Sequence, residues 1–412
     1  MAKRVSIIHG AVCLAVGITS VTPAFAGGLE RGGYNIDQLF DASPFTFQSG
    51  VTFVAPQRKL KNVQDGPAGG AFVGGTTTAD DTENYAIPYV GFKGSYNDVD
   101  CLIDYSQPFG AHLNPGANWA GAQSNIETKL RTDNYGLTCS YKFDMGPGQF
   151  RVIGGGFYQE IEGFKTRNVA QIPAGLGTGV GRLDLGDESW GWRAGVAYEI
   201  PEYALRASLV YNSRVKYDLT GTLDLTQIAS AVNPLNPYLG RRFNVLGSAE
   251  APDSLELKVQ SGIAPDWLAF GSVKWTNWSL IQSIRFCEEN GAFGCPATGV
   301  TSLDLLYRDG WTVSGGIGHK FNDKLSGAVS VTWDRGTSTG IGASSDTWTL
   351  GAGVQYAVTD NIEWRLGAAV GVLTSGSSGQ VTRGGVTYGT DATYDYGNDV
   401  VAAINTSVKV KF

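Results

Sequence analysis

From Asp399 to Phe412 the apolar residues fall on every second position: Val400, Ala402, Ile404, Val408, Val410 and Phe412. Asn405, Ser407, Lys409 and Lys411 lie between them. Side chains alternate across an extended chain, so this is a strand with one oily face and one wet face. It is long for a strand of a soluble sheet, and it stops on an aromatic residue at the C-terminus.

The other end of the chain narrows the solutions. Lys3 and Arg4 precede a mostly apolar run from Val5 to Val21, and Ala24-Phe25-Ala26 is a small-residue cleavage site. Residues 1–26 therefore read as a secretory signal peptide, with Gly27 starting the exported chain. No later run of about 18 apolar residues follows, so no spanning helix is expected. An exported chain without one can still cross a bilayer as a closed barrel, and the C-terminal strand resembles the closing strand of a bacterial outer-membrane β-barrel. Composition fits: 57 glycines, 10 Trp, 11% aromatic residues, 17% charged residues and a mean hydropathy of −0.09. Few charges with much glycine and aromatic content suit a wall that faces lipid and carries aromatic girdles. The formal charge is −7; without Lys3 and Arg4 it becomes −9, with 29 basic residues against 38 acidic. That balance argues against a nucleic-acid partner.

The alternation recurs. Trp190, Trp192, Ala194, Val196, Tyr198 and Ile200 share one face, with Arg193 and Glu199 on the other, and Pro201-Glu202 turns the chain into a run from Tyr203 to Leu219. Leu255 to Ile263 and Trp267 to Trp275 repeat the pattern about Pro265-Asp266, as do 311–317 with 325–333 and 348–356 with 362–372. With strands at 45–54, 87–95, 99–106, 134–143 and 149–162, the reading is an all-β, antiparallel transmembrane barrel of about fourteen strands over 45–412, an even number as bacterial barrels have. Residues 27–44 form a short N-terminal hatch or plug in this scheme; a loose terminal arm is the alternative. Turns near 97, 145, 201, 265, 322 and 360 are short, while 55–86, 107–133, 163–187, 223–251, 287–301, 337–344 and 375–393 are mostly long. Short turns belong to the periplasmic face and long loops to the outside. The expected location is the outer membrane of a Gram-negative bacterium.

Cys13 leaves with the signal, and Cys101, Cys139, Cys287 and Cys295 remain. Four cysteines allow three pairings. Cys287 and Cys295 bracket a short loop, which favours that pair over two free thiols. Antiparallel register about residue 120 sets Cys101 opposite Cys139. No His lies near them, and two Cys alone make a poor zinc site.

Three stretches resemble the FadL-type long-chain fatty-acid transporters of the outer membrane. They are Trp190 to Glu199 followed by Tyr211 to Tyr217, Leu255 to Trp278 with Trp275-Thr276-Asn277-Trp278-Ser279, and Ser106-Gln107-Pro108-Phe109-Gly110. The resemblance implies a fourteen-stranded barrel with an N-terminal hatch that moves fatty acids or aromatic hydrocarbons. Capture takes place in an apolar extracellular groove, and release is sideways near a kinked third strand. The chain departs from the family in lacking an Asn-Pro-Ala element in the hatch and in the shortness of that segment.

Candidate ligand-binding residues follow from parity and loop composition. Arg193, Arg206, Arg214, Lys216, Lys258 and Lys274 project inward by alternation, and Arg214, Lys216 or Lys274 would hold a ligand carboxylate. The alternative is a wet lumen wall shared with Glu199, Glu256 and Asp218. Loop 223–251 offers Leu235, Tyr238 and Leu239, and loop 107–133 offers Phe109 and Trp119. Extracellular loops this apolar must cover something, either a ligand or one another. No phosphate-binding loop is present, so transport is expected to be passive. Only His112 and His319 remain after the signal, neither beside a serine, so no enzyme, metal or cofactor is expected. The expected partners are a hydrophobic small molecule and outer-membrane lipid, with the barrel acting as a monomer. The competing function is a general diffusion porin for small polar solutes.

Overall fold

A computed structural model describes residues 28–66, 75–170, 178–228, 238–289 and 299–412. The signal peptide 1–26, Leu235 and Cys295 lie outside the described residues.

Fourteen strands form one antiparallel ring. They are β1 (Phe45–Pro56), β2 (Tyr85–Tyr96), β3 (Val99–Ser106), β4 (Glu127–Met145), β5 (Gly148–Ala170), β6 (Thr178–Ile200), β7 (Leu205–Asn212), β8 (Ser254–Ala264), β9 (Trp267–Thr276), β10 (Gly310–Lys320), β11 (Leu325–Asp334), β12 (Thr347–Ala357), β13 (Ile362–Leu373) and β14 (Asp399–Lys411). Each pairs with its neighbours, and β1 pairs with both β2 and β14: Phe47 lies opposite Phe92 on one side and Val410 on the other. Every strand of the ring therefore has a paired neighbour on each side, which is what crossing a bilayer with strands requires.

The ring is apolar outside and polar inside. Val400, Ala402, Ile404 and Val408 are exposed on β14, whereas Ser407 and Lys409 are buried. Trp190 and Trp192 are exposed, and Arg193 on the opposite face is buried. Phe53, Ile103, Leu137 and Leu350 likewise face outward. In water this surface would be an aggregation hazard; against lipid it is the stable arrangement. The inward charges near the short-turn end satisfy one another. Lys93 lies 3.2 Å from Asp100, which also binds Arg151, and Arg151 binds Glu199. Lys409 lies 2.9 Å from Glu363 and also binds Asp41.

The six short turns fall at one end and the long connections at the other. A tag inserted at Ala343 or Gly376 should therefore be reached by antibody on intact cells, and one at Asp360 should not. Labelling at Asp360 but not at Gly376 would reverse the orientation.

Three expectations need correction. The run Tyr203 to Leu219 is not one strand: β7 ends at Asn212, and Val215–Tyr217 forms a separate ladder with Ala249–Ala251. The interruption turns the faces over. Asn212 is buried, and beyond the break Val215 and Tyr217 are fully buried. Arg214 and Lys216 thus point away from the interior, with side chains 50% and 64% exposed, paired with Glu250 and Asp218. The segments read as loops 107–133 and 163–187 also hold strand, because β4 starts at Glu127, β5 runs to Ala170 and β6 starts at Thr178.

Gly28 to Phe40 packs against inward-facing side chains of the ring. Ile36, Leu39 and Phe40 meet Leu102, Ile153, Ala197 and Val210 from β3, β5, β6 and β7. Gln38 donates to the carbonyls of Thr46 at 3.1 Å and Gly91 at 3.2 Å. A Cβ on Gly91 would lie 2.2 Å from the Gln38 Oε1, so glycine is what lets the segment approach the wall. Asp37 binds Lys258 at 3.1 Å, and Glu30 binds Lys274.

Cys101 on β3 and Cys139 on β4 stand opposite in register and are disulfide-bonded. Cys287 is also disulfide-bonded.

Candidate functional site

The site grows out of strands that outrun the membrane. β5 and β6 are each 23 residues long, and about ten residues suffice to cross a bilayer. Glu160 and Glu162 are exposed on the outer face of β5, marking the level above the hydrocarbon. On the inner face of this extension stand Ile161, Leu183 and Leu185.

The interruption after β7 supplies the next wall. Ser213 donates its backbone N–H to the Trp192 carbonyl at 2.8 Å, and its Oγ accepts from the Trp192 N–H at 2.9 Å, so β6 holds the break in place. The face reversal that follows brings Val215 and Tyr217 inward. The ladder of Thr220–Asp224 with Arg242–Gly247 adds Leu223 and Phe243, and the strand Ser283–Glu288 adds Phe286.

A third contribution comes from the break after β3. Gln107 to Phe109 leave the wall, and the strand resumes at Gly110–Leu113 against β4. The displaced backbone is met by the N-terminal segment: Arg31 N–H donates to the Pro108 carbonyl at 2.9 Å, and Gly110 N–H to Leu29 at 2.8 Å. On the β2 side the ladder with β3 stops at Val90 opposite Tyr105. Pairing resumes at residues 81–83, where the Glu83 N–H donates to the His112 carbonyl at 3.0 Å and the Asn114 N–H to the Asp81 carbonyl at 2.8 Å. A window is thereby left between Tyr85–Tyr89 and residues 107–111. The Arg31 guanidinium stands there, 4.0 Å over the Tyr85 ring.

These walls enclose a cavity of about 500 Å³, lined mainly by apolar side chains that include Leu183, Leu223, Phe286 and Trp278. The volume is in the range of small-molecule sites. Aromatic rings continue from it toward the N-terminal segment. Tyr307 meets Trp278 at 5.9 Å, Trp278 meets Phe109 at 5.7 Å, Phe109 meets Tyr34 at 5.9 Å, and Tyr34 meets Phe157 at 4.8 Å. Gln159 ties the column to the wall, accepting from the Tyr217 hydroxyl at 2.5 Å and donating to the Tyr34 oxygen at 3.2 Å. At its end the Arg193 guanidinium stacks 5.1 Å from Phe157 and 5.3 Å from Tyr34, and among the described residues none of its three nitrogens has a hydrogen-bond partner.

The charged groups in the lining are few. Burial pushes the Asp81 carboxyl up to about 6, against the pull of Arg58. Burial, reinforced by Arg167, pushes Lys165 down to about 8, with Asp391 and Asp304 opposing. Burial also raises the Tyr307 hydroxyl, keeping it neutral.

Of the residues singled out from sequence, Phe109, Trp119, Tyr238 and Leu239 line this cavity. Lys274 points inward but is bound to Glu30, and Arg214 and Lys216 turn outward. Lys165, Leu183, Tyr217 and Phe286 were missed. The first two lie in a segment read as loop, where Lys165, Arg167 and Val169 continue the inward parity of Ile161.

A closed fourteen-strand barrel, apolar outside and holding an apolar chamber at its long-loop end, is an outer-membrane protein. The family described as outer membrane protein transport protein (OMPP1/FadL/TodX) matches residues 38–371, and the chain belongs to it. It is 23% identical over 380 residues to a long-chain fatty acid transport protein of Escherichia coli O6:H1, covering 84% of this chain and 80% of that protein. Its fold is similar to that of a Pseudomonas aeruginosa FadL homologue, with a TM-score of 0.75, 16% identity and coverage of 94% and 96% of the two chains. It is also similar to the Pseudomonas putida toluene transporter TodX, with a TM-score of 0.59, 14% identity and coverage of 91% and 92%. These relatives are transport proteins.

Proposed function

We propose that the protein is a passive channel for hydrophobic molecules, long-chain fatty acids foremost, captured in the loop-end chamber and released sideways through the wall. The observation that carries this reading is the apolar cavity of about 500 Å³ joined to the aromatic column that reaches Tyr34. Each methylene moved from water into such a chamber contributes about 0.8 kcal/mol, so capture needs no energy source. The break at Gln107–Phe109 and the missing ladder beside Tyr85–Tyr89 offer a path into the bilayer. The N-terminal segment plugs that path, and release requires Arg31 and Phe109 to move. The barrel acts as a monomer embedded in outer-membrane lipid.

The test is uptake of a radiolabelled long-chain fatty acid by cells that lack their own transporter, with sugar-driven swelling of liposomes in parallel. Expression should confer uptake, and the liposomes should not swell. Swelling without uptake would make the protein a general diffusion porin.

A further inference from the structure

The apolar chamber holds an acceptor that no protein donor answers. Asp81 follows the short strand Ala79–Asp80, which pairs with Lys59 and Leu60. Its backbone is clamped on both sides. The Asp81 N–H donates to the Arg58 carbonyl at 2.9 Å, and the Asp81 carbonyl accepts from the Asn114 N–H at 2.8 Å. Asp81 lines the cavity and is 8% exposed. Among the described residues no hydrogen bond or ion pair reaches its carboxylate. Arg58 acts on it through charge alone. That guanidinium is spent on Asp399 at 3.0 Å, the Gly397 carbonyl at 3.0 Å and the Ser345 hydroxyl at 2.7 Å. A buried carboxylate with no donor is costly, and a chamber that held only hydrocarbon would be better served by a leucine. The same lining holds an unanswered donor. The Asn125 Oδ1 accepts from Thr128 at 2.6 Å, while its Nδ2 is buried with no partner among the described residues.

We infer that Asp81 accepts a hydrogen bond from the hydroxyl of a neutral hydrophobic alcohol whose carbon skeleton lies in the chamber. The chemistry of the lining selects that class. A hydroxyl both donates and accepts, so it suits a lining in which Asp81 needs a donor and Asn125 an acceptor. A hydrocarbon or an ether has no such proton to give, and a fatty-acid carboxylate is repelled by Asp81. Alcohols are thereby a second ligand class for the chamber, set apart from fatty acids by one acceptor. The inference rests on the chamber being the capture site. The titratable groups that act with Asp81 are Arg58 and Tyr394, whose hydroxyl is bonded to Ser378. Burial raises the Asp81 carboxyl only to about 6, so it is mostly ionised at pH 7.5.

The test uses the purified barrel in mild detergent at pH 7.5, with oleyl alcohol, oleyl methyl ether and oleate as probes, read by titration calorimetry. Wild type should bind the alcohol more tightly than the ether. A hydrogen bond to a charged acceptor is worth enough that Asp81→Leu should weaken the alcohol about tenfold or more. The ether and oleate should bind that variant at least as well as wild type. Asp81→Asn keeps one acceptor oxygen and should restore part of the alcohol affinity. Heat-modifiable gel mobility checks that each variant has folded. Equal losses for alcohol and ether, or no loss for the alcohol, would overturn the acceptor site and leave the capture chamber standing. If none of the three probes binds wild type, the chamber reading falls and the acceptor site with it.

Discussion

Replacing Lys409 by Met is expected to lower the stability of the barrel by about 3–5 kcal/mol, the usual cost of removing one partner from a buried ion pair. The side chain is 3% exposed and lies between Asp41 of the N-terminal segment and Glu363 of β13, themselves 8% and 7% exposed. Lys411 and Arg365 also reach Glu363 but not Asp41. The substitution therefore leaves the Asp41 carboxylate buried without its cation. Urea unfolding in detergent micelles, followed by tryptophan fluorescence, measures the loss, and heat-modifiable gel mobility reports whether the barrel has formed. The second variant Asp41→Asn/Lys409→Met should recover part of the loss, because it removes both charges. If the single and double variants unfold with wild type, the pair does not hold the N-terminal segment to the wall.

Charging the chamber should abolish capture. Tyr238 and Leu239 line it, and Leu239 is 3% exposed. The double variant Tyr238→Asp/Leu239→Asp removes apolar contact and forces unpaired carboxylates against any ligand tail. At several kcal/mol per buried unpaired charge, fatty-acid affinity should fall about a hundredfold or more. Neutral ligands should lose as well as anionic ones, because the loss of apolar contact does not depend on the head group. The barrel strands are untouched, so gel mobility should match wild type. Retained binding would place capture elsewhere on the molecule.

Period-two alternation made the ring legible because a lipid-facing wall must alternate without interruption. The same rule failed where the wall was interrupted. Two residues, Ser213 and Arg214, separate the inward Asn212 from the inward Val215, and counting through them put Arg214 and Lys216 on the wrong face. Nothing local marks that change, since its cause is the grip of Trp192 on Ser213 from the neighbouring strand. Lys258 and Lys274 were placed inward, yet their partners Asp37 and Glu30 are 221 and 244 residues away. Only the tertiary fold shows that these cations are already spent on the N-terminal segment. Phe109 and Leu239 were readable from loops too apolar to stand alone in water. Trp119 was as well, although it packs chiefly in a separate cluster with Leu60 and Tyr396.

The pairing of Thr46 with Lys411 and of Phe47 with Val410 has a kinetic consequence. Contacts between neighbouring hairpins form early because little chain entropy is lost in closing them. The contact that shuts the ring joins residues separated by nearly the whole chain, and its loop-closure cost must be met first. Until the final thirteen-residue strand arrives, β1 and β13 are two bare edges, each a template for foreign strands. Assembly is therefore all or nothing at its last step. A chain cut short before Asp399 would persist as an open, association-prone sheet rather than as a smaller pore.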